Sequence, residues 1–256
     1  MTPLLETRGL SKTFGGLKAV QKVDLSVGAN RIVSVIGPNG AGKTTFFNCL
    51  SGIYCADGGT ILLEGRDITG RPPHQVCRLG MSRTFLNIRL FPEMTVLENV
   101  LVAQFQHRSL SPWNLLLHSA HFRNEEKQNR GEAFEFLEFV GLAHHADTIS
   151  SNLAYGLQRR LEIARALATR PRLLLLDEPA AGMNPQETVE MVQLISRIRD
   201  KGLAILLIEH HMKVVMTISD EILVLDHGVP IAHGTPEKVR NDPCVIKAYL
   251  GEEASN

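Results

Sequence analysis

The sequence carries no excess of charge of either sign, since 27 Lys and Arg residues balance 27 Asp and Glu residues. A protein that wraps nucleic acid needs a surplus of positive charge, so the composition argues against a nucleic-acid partner. No apolar run approaches the roughly 20 residues required to cross a bilayer, and the N-terminus lacks a basic segment followed by a hydrophobic signal core. The sequence therefore predicts a soluble, cytosolic chain.

Cysteine is scarce and has no metal-binding spacing. Because Cys49, Cys55, Cys77 and Cys244 form no C-x-x-C pair, we predict reduced thiols, most of them packing residues, rather than a disulfide or metal site. The 256 residues and the 44% hydrophobic content suit one large domain, or a compact domain with a substantial insertion.

What the sequence does contain is a phosphate-loop pattern. The spacing G-x-x-x-x-G-K-T lies between a predicted apolar strand at 31–36 and a helix predicted to begin near Lys43. The glycines let successive backbone N–H groups turn inward around an anion, Lys43 supplies a positive charge, and the Thr44 hydroxyl suits Mg²⁺. An ordinary glycine-rich turn would not need this full spacing. The predicted nucleotide-binding residues of the loop are Gly37, Pro38, Asn39, Gly40, Ala41, Gly42, Lys43, Thr44 and Thr45.

The hydrophobic pattern changes its period twice along the chain. Short alternating runs between 4 and 36 predict antiparallel strands that lead into the phosphate loop. Between 86 and 152 the apolar residues follow a helical period, which predicts an inserted helical layer. The continuous apolar runs at 173–176 and 203–208 then predict strands buried on both faces of a parallel sheet.

Polar side chains follow three of the predicted strands. In open α/β sheets ligands bind beyond the carboxyl ends of the strands, where this sequence places Lys43-Thr44, Asp177-Glu178 and His210. Asp177 can hold Mg²⁺ directly or through water, and Glu178 can polarise a water that attacks the γ-phosphate. The alternatives are that the two acids only solubilise a strand end or cap a helix, and that His210 is an ordinary surface histidine.

Two aromatic residues remain open to two interpretations each. Phe14, in a turn-like context, either stacks on a nucleotide base or packs in the core. Trp113, with the leucines at 115–117, belongs either to a segment that docks a partner or lipid headgroups or to a short helix packed on its own domain.

Together these motifs resemble the ATP-binding subunits of ABC transporters over nearly the whole chain. Residues 37–44 match Walker A, 173–177 match Walker B, 152–156 with the Arg-rich helix that follows match the signature, and 181–184 fall at the D-loop. Glu178 falls at the catalytic glutamate, His210 at the switch histidine and Phe14 at the aromatic residue that stacks on adenine. Residues 83–85, 89–91, 178–182 and 248–251 are similar to LivG-type (BraF-type) subunits of branched-chain amino acid importers, although subunits for urea or other amides share much of this sequence.

The resemblance implies an α/β fold with a RecA-like P-loop NTPase core, an N-terminal antiparallel β-subdomain and an inserted α-helical subdomain. Within a single ATP-binding domain, it assigns 1–85 and 160–256 to the core and β-subdomain and 86–159 to the helical subdomain. It also implies ATP and Mg²⁺ as ligands. The implied roles are catalysis for Glu178, His210 and Lys43, metal binding for Thr44 and Asp177, and nucleotide binding for Phe14, Asp177, Leu153, Gly156 and the phosphate loop.

The resemblance further implies a head-to-tail pair of ATPase subunits, in which the signature of one subunit covers the ATP held by the other. The expected partners are a related but distinct ATPase, two membrane subunits and, indirectly, a periplasmic binding protein, at the inner face of a bacterial cell membrane. A soluble P-loop phosphoryl-transfer enzyme, such as a small-molecule kinase, would leave the signature at 152–156 unexplained. An ABC ATPase acting on ribosomes or DNA would usually need tandem ATPase domains or long coiled coils.

Two positions depart from the family pattern. Leu86 stands where the Q-loop has glutamine, and Leu157 stands at the glutamine of the signature. Neither leucine can bind a metal or donate a hydrogen bond to phosphate. We hypothesise that Leu86 weakens Mg²⁺ placement or the coupling of hydrolysis to the helical layer.

Overall fold

The computed structural model describes residues 3–105 and 120–253. Trp113 and the leucines at 115–117 lie outside these ranges. Two compact units are present, one formed by Met1–Leu86 with Arg172–Asn256 and one by Asn87–Pro171.

The first unit contains the strands and most of the helices in the described residues. In chain order its strands are β1 (Leu5–Phe14), β2 (Leu17–Val27), β3 (Ile32–Ile36), β4 (Gly58–Leu63), β5 (Arg66–Asp67), β6 (Met81–Arg83), β7 (Leu173–Asp177), β8 (Ala204–Ile208), β9 (Glu221–Asp226) and β10 (Val229–Gly234). Its helices are α1 (Lys43–Leu50), α2 (Pro73–Arg78), α6 (Pro185–Asp200), α7 (Met212–Ile218), α8 (Pro236–Arg240) and α9 (Pro243–Glu253). The second unit holds α3 (Val96–Gln104), α4 (Ala120–Phe139) and α5 (Tyr155–Ala168).

The strands form two sheets. The smaller sheet is antiparallel in the order β2-β1-β4-β5, as the alternating N-terminal pattern predicted. The larger sheet has the order β10-β9-β3-β8-β7-β6 and is parallel except for the β9–β10 pair.

The centre of the parallel sheet positions the candidate site. All residues of β3, β7 and β8 are buried, which explains why these strands are continuous apolar runs rather than alternating ones. Phe46 and Phe47 of α1 are fully buried in the core cluster that also contains residues of these strands. Because β3, β8 and β7 are adjacent and parallel, their carboxyl ends lie at one edge of the sheet.

The second unit is helical, and α3 packs against both α4 and α5. A capping box starts α3: Thr95 Oγ1 accepts the Glu98 N–H at 3.2 Å, and the Glu98 carboxylate accepts the Thr95 N–H at 2.8 Å. The boundary expected at 159 falls inside α5, whereas the unit ends at Pro171. A continuous helix cannot be divided by composition alone, and its hydrogen-bond ladder keeps α5 in one unit.

Candidate functional site

The phosphate loop joins the end of β3 to the start of α1, and two of its glycines are fixed by close backbone contacts. Gly37 has φ 148, and a Cβ at this position would lie 2.0 Å from the Leu225 carbonyl oxygen. Gly42 has φ 95, and its Cβ would lie 2.1 Å from the Ala19 carbonyl oxygen. The neighbouring backbone therefore requires glycine at both positions, independently of any ligand.

Lys43 is the first residue of α1 and closes over the loop that precedes it. Its Nζ donates to the carbonyl oxygens of Gly37 at 2.6 Å and Pro38 at 2.7 Å, and only 6% of the residue is exposed. No side chain caps the start of α1, and its first turn contains no acidic residue. The positive end of the helix and the ammonium group thus lie at the same loop, an arrangement that suits phosphate.

The loop lines a cleft of about 510 Å³ that also receives residues from distant parts of the sequence. The cleft brings together Phe14, residues 39–45 of the loop, Glu178 and His210. Its other lining residues are Leu17, Lys18, Ala19, Leu86 and His227. Gly37, Pro38 and Asp177 are buried behind this surface.

Phe14 is 40% exposed and is therefore not a core residue. Its ring makes an edge contact with Tyr54, with ring centroids 5.2 Å apart, and the Lys12 ammonium lies 5.3 Å from its centroid. Asp57 holds Lys12 at 2.8 Å and accepts the Thr13 N–H at 2.6 Å, and these two hydrogen bonds lower the pKa of the Asp57 carboxyl. The ring is thus held in position at the cleft.

Glu178 and His210 form a contact pair at the adjacent ends of β7 and β8. His210 Nε2 lies 2.6 Å from Glu178 Oε1, with 38% and 18% of the respective side chains exposed. Glu178 has φ 50, in the left-handed region that non-glycine residues rarely occupy, at a cost of about 1–3 kcal/mol. Its N–H donates to the Ile208 carbonyl at 2.9 Å, which ties the two strand ends together.

Asp177 is paired with a buried arginine that the sequence analysis did not assign to the site. Arg83 Nη2 lies 2.7 Å from Asp177 Oδ2, with 5% and 3% of the two side chains exposed. Arg83 Nη1 also donates to Asn48 Oδ1 at 2.7 Å and Ser51 Oγ at 3.0 Å, both on or beside α1. The Walker B carboxylate is thus connected to the helix that follows the phosphate loop.

The residues of the site fit a magnesium nucleotide. The described ranges contain no group of three or more His, Cys, Asp or Glu residues able to form an all-protein metal site. Mg²⁺ in nucleotide sites usually takes one or two protein ligands and completes its shell with phosphate and water. An exposed Thr44 hydroxyl and the buried Asp177 carboxylate are oxygen donors of that kind.

Glu209 is a further residue that the sequence analysis missed. It follows β8 directly and is 2% exposed, and burial raises the pKa of its carboxyl against the opposing effect of three backbone N–H groups. The available signal was an acid between a buried strand and a candidate catalytic histidine.

The predicted signature residues belong to the helical unit. Leu153 is buried, and Gly156 is half-buried in the first turn of α5. No side chain caps this helix at Ala154, and its first turn has no acidic residue. The helix start therefore has the electrostatic character of an anion site, like the start of α1.

Comparison with known proteins decides the family. The model of the family described as ABC transporter matches residues 20–181, which include the phosphate loop, the signature and the Asp177-Glu178 pair. The chain belongs to the ABC transporter family. A second model, described as branched-chain amino acid ATP-binding cassette transporter, matches residues 229–255 of this ABC subunit.

The relatives of this ABC subunit cover its full length. It is 54% identical over 251 residues, 98% of each chain, to the high-affinity branched-chain amino acid transport ATP-binding protein LivG of Escherichia coli K12. It is 53% identical, with the same coverage, to BraF of Pseudomonas aeruginosa. A solved ATP-binding cassette of an ABC transporter in its ADP conformation has a TM-score of 0.85 at 34% identity, covering 98% of this chain and 100% of that one.

These comparisons confirm the predicted family, the α/β cassette fold and the activity of an ATP-binding ATPase coupled to transport. An ABC subunit of this kind works with transmembrane partners. Across 3–105 and 120–253, no helix has both the length and the apolarity needed to cross a membrane. All four cysteines are free, and Cys49 is the buried one of the four, with a pKa raised by burial to about 11.

Proposed function

We propose that this ABC subunit hydrolyses ATP to drive an importer of branched-chain amino acids. The observation that carries the chemistry is the cleft in which the phosphate loop, Phe14 and the Glu178–His210 pair lie together. The choice of solute is supported by the identity with LivG and BraF and by the family match at 229–255.

In this proposal the phosphate loop and Lys43 bind the phosphates of ATP, and Phe14 stacks on adenine. Thr44 and Asp177 hold Mg²⁺, which when bound neutralises charge on the transferred phosphoryl group. Arg83 keeps the Asp177 carboxylate in place at 2.7 Å, so the carboxylate does not have to reorganise when nucleotide enters.

Glu178 then acts as the residue that orients the attacking water and accepts its proton. The cleft exposes 18% of its side chain, which leaves an oxygen accessible to water while the strand ends fix the backbone. His210, at 2.6 Å from the same carboxylate, holds the orientation of Glu178 and can carry a proton at Nε2.

The complete site in this proposal needs a second ATPase subunit, arranged head to tail. Leu153 and Gly156 at the uncapped start of α5 would cover the ATP of the partner, since a helix N-terminus offers N–H groups to phosphate. The second ATPase is a related but distinct chain, and two membrane subunits and a periplasmic binding protein complete the importer at the inner face of the membrane. Residues 1–256 act as one ATP-binding domain.

The test is transport-coupled hydrolysis in the assembled complex. The full chain is co-expressed with its membrane subunits, purified and reconstituted, and ATP hydrolysis is measured with the binding protein and added leucine, isoleucine or valine. We expect these amino acids to stimulate hydrolysis, and Lys43→Ala to abolish the stimulation. Stimulation by urea or a short amide, with none by the branched-chain amino acids, would reject this choice of solute.

A further inference from the structure

Glu209 is a buried carboxylate for which the proposed mechanism has no use. The residue is 2% exposed and does not line the cleft, so it cannot touch a nucleotide bound there. Carboxylates are rarely buried to this degree unless they are paired or fully hydrogen-bonded. The hydrogen-bond partners of Glu209 are backbone N–H groups, which points to a role in fixing the backbone.

The two oxygens of Glu209 bind two different loops. Oε1 accepts the N–H of Ala180 at 2.9 Å, in the loop that follows Glu178. Oε2 accepts the N–H of His210 at 3.1 Å and lies 3.5 Å from the N–H of His211, in the loop that follows β8. One side chain therefore joins the loop that carries the candidate catalytic glutamate to the loop that carries its histidine.

We infer that Glu209 is a positioning residue that sets the placement of Glu178 relative to His210. The inference rests on the proposed function, in which these two residues form the catalytic pair. The pair is only 2.6 Å apart, and Glu178 has the strained φ of 50, a conformation that persists only when the surroundings determine it. The bond from the Glu178 N–H to Ile208 fixes the last strand residues, and Glu209 fixes the loops beyond them.

The chemistry of the bridge makes a nearly isosteric substitution informative. A carboxylate accepts hydrogen bonds at both ends, whereas a glutamine amide has one acceptor oxygen and one donor nitrogen. In Glu209→Gln the oxygen can therefore serve the Ala180 N–H or the His210 N–H, while the amide NH₂ faces a donor at the other loop. The substitution changes little volume and breaks one half of the bridge.

The experiment measures kcat and KM for ATP with the full chain in the reconstituted transporter, and ATP affinity by equilibrium binding. We expect E209Q to lower kcat by about 10- to 100-fold, because small misplacements of reacting groups have effects of this size. We expect KM and ATP affinity to stay within about twofold of wild type, because the phosphate loop is untouched. The matched control is Asp220→Asn, which removes a carboxylate that accepts the Ile32 N–H at 2.8 Å at the opposite end of the parallel strands and should leave kcat unchanged.

A double-mutant cycle separates positioning from general support of the fold. In a His210→Ala background the pair no longer exists, so single-turnover measurements should show E209Q lowering the residual rate by less than about twofold. A residue that only stabilises the fold would lower the rate by the same factor in both backgrounds. The inference is overturned by that result, by wild-type kcat in E209Q, or by a parallel loss of ATP binding.

Glu178→Gln in the same series distinguishes this inference from the proposed function. If E178Q is inactive while E209Q turns over like wild type, the inference fails and the proposed role of Glu178 stands. If E178Q itself turns over like wild type, the proposed role of Glu178 fails, and a positioning role for Glu209 fails with it.

Discussion

The buried ion pair between Arg83 and Asp177 gives a stability prediction with a defined magnitude. Nη2 and Oδ2 are 2.7 Å apart, and only 5% and 3% of the two side chains are exposed. Arg83→Leu would leave the Asp177 charge buried without its cation, and removal of one partner of such a pair typically costs about 3–5 kcal/mol. The arginine also loses its hydrogen bonds to Asn48 and Ser51, so we expect a loss near the upper end of that range.

The assay is urea unfolding of the full chain, followed by far-UV circular dichroism. The control is Arg31→Gln, which breaks an ion pair to Asp220 at 3.2 Å in which 59% of the arginine side chain is exposed. Exposed pairs contribute under about 1 kcal/mol, so the two variants should differ severalfold in their loss of free energy of unfolding.

A combined substitution of both partners tests the cause of the loss. Replacing Arg83 and Asp177 together by leucine removes the unpaired charge, and we expect the double variant to recover much of the stability lost by Arg83→Leu alone. The reasoning is refuted if Arg83→Leu costs no more than Arg31→Gln, or if the double variant is less stable than Arg83→Leu.

Three further predictions concern separate parts of the chain. Leu86 lines the cleft, so Leu86→Gln should raise Mg²⁺-dependent turnover, by up to about 10²- to 10³-fold if it restores a missing electrostatic group, and Leu157→Gln is tested separately; equal ATPase activity of both variants and wild type would reject the idea. Gly42→Ala should abolish ATP binding because its Cβ meets a carbonyl oxygen at 2.1 Å, whereas Gly65→Ala, also at positive φ but in open space, should bind ATP normally, and tight binding by the first variant would contradict the clash. The hydrogen bonds that lower the pKa of Asp57 stabilise the fold above its usual pKa and are lost as pH falls through the lowered value, so the Tm difference between wild type and Asp57→Asn should shrink in acid, and a constant difference would count against this linkage.

Local requirements explain which parts of the site could be predicted from the sequence. The phosphate loop needs glycines, a lysine and a threonine at fixed spacing, and the structure places this loop between β3 and α1 as expected. The shared position of Glu178 and His210 follows from parallel strands, whose carboxyl ends meet at one edge of the sheet. Their separation of 2.6 Å is a tertiary result that no sequence pattern encodes.

The residues that sequence reasoning missed act through distant partners. Arg83 precedes Asp177 by 94 positions, and Glu209 binds the Ala180 N–H from 29 positions away. The short elements α2 and β6 have too few residues to show a hydrophobic period, and α5 continues beyond the expected boundary at 159 because nothing in its sequence breaks the helix there. The structure supplies these contacts, and with them the connection between the phosphate loop helix and the Walker B strand.

A crystal structure of Glu178→Gln with ATP and Mg²⁺ tests the proposed site most directly, because the substitution should stop turnover without removing a binding group. We expect the phosphates in the 37–44 loop, Mg²⁺ beside Thr44 and Asp177, and Gly156 of a second ATPase chain across the nucleotide. Nucleotide bound away from Lys43, or Mg²⁺ remote from Asp177, would contradict the account.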